Sequence, residues 1–210
     1  MNNKIRAALS PCGYKSRCLA GSLIGTSRRA AQLSFMLVAG FVLLLPLLAG
    51  AKEVTKYAQE EVEKGWGFFR DNDLDEALGR FNQAIIMDPA FAPAYYGKAH
   101  VYSARNQPGE AIKFFRKTIE LSDPPMVEAF VNLGFTLTLA GHEEEGYEMY
   151  MKALAIDPNN KDAHINLAHY YCGQLNGAKA WEHIRTALSL GGKMPEEQLA
   201  DMRSICPEEK

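Results

Sequence analysis

Residues 58–91 read AQEEVEKGWGFFRDNDLDEALGRFNQAIIMDPAF, and residues 127–160 read VEAFVNLGFTLTLAGHEEEGYEMYMKALAIDPNN. Laid over one another, the two stretches match at a few decisive places. Gly65 falls on Gly134, Ala77 on Gly146, Ala84 on Ala153 and Phe81 on Tyr150; Asp88-Pro89 falls on Asp157-Pro158. The pattern recurs between and after them, with Ala99 and Ala168, Ala111 and Ala180, Phe115 and Ile184. The intervals in each series are 34, 35 and 34 residues. A period in this range marks stacked two-helix units.

The residue types fit that reading. Two helices packed antiparallel approach to about 8–10 Å, which large side chains at the crossing prevent. Gly65 and Ala77 permit the approach in the first unit, and Phe68 and Phe81 fill the space beside it. Tyr102 with Phe115, Leu137 with Tyr150, and Tyr171 with Ile184 repeat the arrangement. A lone hairpin cannot bury both faces, so stability comes from stacking. Asn72-Asp73, Pro108-Gly109, Gly141 and Asn176-Gly177 are expected between the helices of each unit. Asp88-Pro89, Asp123-Pro124 and Asp157-Pro158 are expected to end the second helices. After the fourth unit Gly191-Gly192 reads as a helix C-cap, and Pro195-Glu196-Glu197 as the start of a short helix over 195–204. Glu61 and Lys64 stand where bulky residues are usual, which predicts a partly exposed first unit, and Gly65-Trp66-Gly67 reads as glycines serving packing within a helix.

With these residues in register, the chain resembles the tetratricopeptide repeat family over about 52–194, in units 58–91, 92–125, 127–160 and 161–194 with Met126 inserted. The resemblance implies an all-α fold, a right-handed α-solenoid of four helix hairpins with a C-terminal capping helix. It implies a concave groove lined by the first helix of each unit. Carried onto this sequence, one groove position reads Trp66, His100, Phe135 and His169, a ring from every unit. Phe69, Arg70, Tyr96 and Leu139 stand at neighbouring groove positions. Aromatic side chains suit peptide or helix recognition. Members that grip a C-terminal carboxylate use Lys, Arg and Asn in this groove. Here Asn132 and Asn166 are present, but Glu128 and Asp162 occupy positions where bases are needed, which argues against a carboxylate clamp.

Charge divides the chain at its front. Residues 1–51 carry Lys4, Arg6, Lys15, Arg17, Arg28 and Arg29 and no acid, leaving 17 basic and 25 acidic residues in 52–210. The acidic body argues against nucleic acid, whose phosphates require Lys and Arg stripes. Arg28-Arg29, the apolar run Phe35 to Leu48 and the small-residue end Ala49-Gly50-Ala51 read as a secretory signal. Pro46 would break a helix near the cut. The uncharged stretch 30–51 is also long enough to remain as a membrane anchor. Either outcome carries the body outward, since the positive flank stays inside. Ser27-Arg28-Arg29 is a faint twin-arginine pattern, and the acid-free start also suits an organelle transit peptide. The domain organisation expected is therefore 1–51 signal or anchor, 52–194 repeat domain, and 195–210 capping helix and tail.

Few residues suggest chemistry. His164, His169 and Cys172 are the candidate metal-ligand types, and Cys206 stands 34 residues beyond Cys172. A disulfide between the cysteines requires the terminal segment to bend inward, because a disulfide needs Cα atoms within about 7 Å. A structural zinc site needs four N or S ligands, and a fourth is not evident. No cofactor, metal site or catalytic constellation is read. His142-Glu143-Glu144-Glu145 lacks a second His at helical spacing and reads as acids at a helix start. The sequence thus points to an exported, non-catalytic adaptor that binds a protein or peptide partner in the cell envelope. A self-associating structural module and a thiol or metal protein are the other classes.

Overall fold

The computed structural model describes residues 53–208, and the leader, with its signal or anchor at 1–51, lies outside them. Nine helices are present among the described residues. They are α1 (53–70), α2 (Leu74–Met87), α3 (Ala92–Ala104), α4 (Pro108–Leu121), α5 (Val127–Leu139), α6 (Glu143–Ile156), α7 (Lys161–Gly173), α8 (Gly177–Ser189) and α9 (Glu196–Ile205). Successive pairs form four hairpins, the first through Gly65 and Trp66 against Phe81, and each hairpin stacks on the next. The fold is an all-α helical repeat. None of these helices is long and apolar enough to cross a membrane.

One backbone device closes every hairpin. Asn72, Asn106, Gly141 and Leu175 all have positive φ, at 61°, 56°, 85° and 56°. In the first hairpin the Asn72 amide donates to Phe69 O (3.1 Å) and the Asp73 amide to Phe68 O (2.9 Å). The same pair of bonds recurs at Asn106 and Gln107, at Gly141 and His142, and at Leu175 and Asn176. This left-handed cap satisfies the last carbonyls of each first helix. The expected turn residues Pro108-Gly109 are displaced from this role: Pro108 opens α4, where its missing N–H costs nothing, and Asn106 makes the turn. Gly177 likewise opens α8, and Asn176 caps that helix by accepting from the Lys179 amide. Gly191, at φ 78°, ends α8 with the same device.

The core repeats with the same period. Phe81, Phe115, Tyr150 and Ile184 are all essentially buried, with Ala77, Ala111 and Ala180 beside them. Close approach makes this possible. A Cβ at Gly97 would lie 2.3 Å from the Phe81 ring, and one at Gly146 would lie 2.4 Å from Thr138 Oγ1. Gly67 differs: nothing lies within 4 Å of a Cβ placed there, so only Gly65 of the Gly65-Trp66-Gly67 triplet serves packing. Glu61 also departs from expectation. It is buried, and its carboxylate accepts from Lys64 Nζ (2.5 Å) and Arg80 Nη1 (3.4 Å), pairings that hold its pKa below the usual range against the opposing effect of burial.

The last repeat is covered by α9. Met194, Leu199 and Met202 pack with Trp181 and Ile184. Trp181 Nε1 donates to Cys206 O (2.8 Å). The chain after α9 turns inward, and Cys172 is bonded to Cys206 with Cα atoms 5.4 Å apart.

Candidate peptide groove on the inner helices

Side chains of adjacent first helices reach one another. Trp66 of α1 meets His100 of α3, Tyr96 and His100 of α3 meet Asn132 of α5, and α5 lies against α7. These helices form the inner layer, and the groove residues read from the sequence stand on it. They fall into two groups.

Trp66, Phe69, Tyr96 and His100 form a half-buried cluster. The Trp66 ring meets Phe69 and Phe81 at 5.4 Å and His100 at 5.3 Å, all edge to face, and Tyr96 at 6.1 Å. Tyr96 and His100 also pack on Phe115. Offset and edge-on geometry is the favourable arrangement for rings. Much of this aromatic surface therefore binds hairpin one to hairpin two. Asn132 joins α5 to the cluster, donating from Nδ2 to Tyr96 OH (2.7 Å) and standing 3.4 Å from His100 Nε2. Burial lowers the His100 pKa to about 4. Burial, reinforced by the Glu128 charge, raises Tyr96 to about 12 against the Asn132 bond. Both groups are neutral at physiological pH. Arg70 projects exposed beside them.

Phe135 and Leu139 are open. Phe135 is 49% exposed and Leu139 71% exposed. Phe135 stands between two hollows. One, of about 180 Å³, is lined by Ser103, Asn106, Pro108, Phe135, Thr136 and Leu139. The other, of about 290 Å³, lies between α5, α6 and α7, and its lining includes Phe135, Glu143, Tyr150, Asn166, His169 and Tyr170. Thr138 Oγ1 donates to Gly134 O and stands 3.4 Å from Tyr150 OH, which fixes the floor. His169 is exposed at the rim, and the side chains around its ring still desolvate it enough to lower its pKa. Glu143, Tyr150 and Tyr170 are lining residues that sequence reading did not select. Glu143 and Tyr150 share a face of α6 at helical spacing, a pattern visible in the sequence but submerged in the acidic run.

The candidate metal-ligand types are dispersed. His164 turns away from His169 to His183, with the two Nδ1 atoms 2.8 Å apart. Its Nε2 lies 3.1 Å from Pro158 O; a carbonyl only accepts, so Nε2 carries the proton and Nδ1 accepts from His183. Tyr171 stacks on His183, a partner sequence reading missed because the two lie on different helices. Cys172 and Cys206 are bonded to each other and offer no thiolate. No group of three or more His, Cys, Asp or Glu among the described residues is placed to hold a metal.

Three models described as tetratricopeptide repeat match the chain, at residues 68–129, 127–160 and 149–187. The Hsp70-Hsp90 organizing protein of Triticum aestivum is 33% identical over 107 residues, 51% of this chain but 18% of that protein's length. Among solved structures, pilF of Pseudomonas aeruginosa superposes with a TM-score of 0.65 at 20% identity, covering 72% of this chain and 70% of that one. The first repeat domain of Spaghetti (RPAP3), bound to the HSP90 peptide SRMEEVD, gives 0.54 at 21% identity, covering 57% of this chain and 94% of that one. The matched segment is thus about a fifth of the curated relative, whose partners and activity are its own. With the family matches running from residue 68 to 187 over a stack of four hairpins, the chain belongs to the tetratricopeptide repeat family.

Proposed function

We propose that this protein is a non-catalytic adaptor that holds a peptide segment or helix of a partner protein on its inner helices, around Phe135. The observation that carries the reading is the exposure of Phe135, which stands between two hollows, and of Leu139, which lines one of them, on the layer where Trp66, Tyr96 and His100 are half-buried against one another. A half-exposed ring flanked by recesses offers a central apolar anchor at low entropy cost. The solved domain bound to an HSP90 peptide supports peptide binding by this fold in general. Trp66, Phe69, Tyr96 and His100 shape the groove floor in this reading, with Phe135, Leu139, His169 and Arg70 as contact residues.

The site of action belongs to the same proposal. The acid-free basic leader followed by an apolar run supports export and work in the periplasm or envelope, after cleavage or with 30–51 as anchor. Cell fractionation with N-terminal sequencing tests this; a body recovered in the cytoplasm would reject it.

The binding test compares crosslinked recovery of partners by the wild type, Phe135→Ala and Leu139→Ser. Both side chains are exposed, so circular dichroism should be unchanged while recovery falls. Undiminished recovery by both variants would reject the groove.

A further inference from the structure

The hollow between α5, α6 and α7 has an electrostatic character that its neighbour lacks. Its charged lining residue is Glu143, in the first turn of α6, followed directly by Glu144. The Glu145 carboxylate is engaged by Arg116 Nη2 at 2.7 Å, whereas neither the Glu143 nor the Glu144 side chain has a hydrogen bond or ion pair among the described residues. The rings of Phe135, Tyr150, His169 and Tyr170 line the same hollow, Tyr150 from the buried side. Burial raises the Tyr170 hydroxyl pKa, and the charges of Glu144 and Glu143 add to it, which places Tyr170 in their negative field. Among the described residues, no charged side chain lines the hollow on the other side of Phe135.

Aromatic faces attract cations, and a carboxylate beside them adds a directional partner. A partner carboxylate would meet Glu143 and Glu144 here, at the start of α6, with Glu128 on α5 and Asp162 on α7 adding negative charge. We propose, resting on the groove reading above, that this hollow receives a lysine or arginine side chain of the partner segment while an apolar side chain of the same segment sits in the uncharged hollow beyond Phe135. The partner is then a basic amphipathic segment, with its cationic head on Glu143 and its aliphatic stem on the rings.

Fluorescence anisotropy on the full chain tests this with three short labelled peptides: alternating Leu and Lys, alternating Leu and Glu, and alternating Ser and Lys. The Leu/Lys peptide should bind tightest, and Glu143→Gln should weaken it roughly three- to tenfold. Glu148→Gln makes the same charge change at an exposed α6 residue outside the hollow and should leave affinity unchanged. Equal weakening by both variants, equal binding of the Leu/Glu peptide, or no binding of the Leu/Lys peptide would overturn the proposal. If Phe135→Ala weakens every peptide that binds while Glu143→Gln weakens none, the groove stands and the cation site falls. If Phe135→Ala changes no peptide's affinity, the groove reading falls as well.

Discussion

At the scale of single residues, glycine positions separate packing from mere tolerance. Gly97 faces the fully buried Phe81 ring, which has no room to yield. Gly97→Ala should therefore destabilise by about 1–3 kcal/mol through overpacking. Gly67→Ala, on an open helix face, should stabilise by about 0.5–1 kcal/mol through helix propensity. Urea midpoints measure both, and a loss at Gly67 as large as at Gly97 would contradict the packing. His100 gives a second residue-scale prediction. Its pKa is about 4 when folded against an ordinary 6.5, so between these values the unfolded chain binds more protons. Stability should fall as pH drops from about 6.5 towards 4, then level below that for this group. From pH 7.5 to pH 5 the wild type should lose about 1–2 kcal/mol more than His100→Gln. Parallel losses would show that the ring is freely hydrated. The sequence named the rings but not their neighbours: Trp66 and Phe135 occupy equivalent repeat positions, yet the first is enclosed by Phe69, Phe81 and His100 and the second is open. Burial at a groove position depends on the two flanking hairpins, which a repeat alignment does not contain.

At the scale of the helical element, the period was legible because small and bulky residues at a crossing answer directly to interaxial distance. The turns were less so. Asn72, Asn106, Gly141 and Leu175 recur at intervals of 34, 35 and 34 residues with the same left-handed backbone, but no single residue type marks them. Leucine is the costly member, since a left-handed residue with a Cβ is disfavoured by about 1–2 kcal/mol. Leu175 is 74% exposed, so little packing opposes its replacement. Leu175→Gly should stabilise the protein by about 0.5–1 kcal/mol after the greater freedom of glycine in the unfolded chain is allowed for. Gly141→Ala, at φ 85°, should destabilise by a similar amount. An unchanged urea midpoint for Leu175→Gly would contradict the turn geometry.

At the scale of the molecule, a stack of hairpins is only as firm as its ends. The C-terminal end is held by α9, by Trp181 on the Cys206 carbonyl, and by the bond from Cys172 to Cys206. The cysteines were readable as a pair, but their approach depends on an inward turn after α9 that no local pattern announces. With a sequence separation of 34, the crosslink should contribute about 3–4 kcal/mol through the unfolded chain. Reductant should lower the urea midpoint accordingly, and indifference to reductant would contradict the latch. In the function proposed above, the inner layer binds a partner segment around Phe135. The most direct test of this is a backbone amide NMR map of the protein titrated with the Leu/Lys peptide. Shifts should concentrate at Phe135, Leu139, Asn166, His169 and Tyr170; shifts confined to the outer helices α2, α4 and α8 would rule out this binding mode.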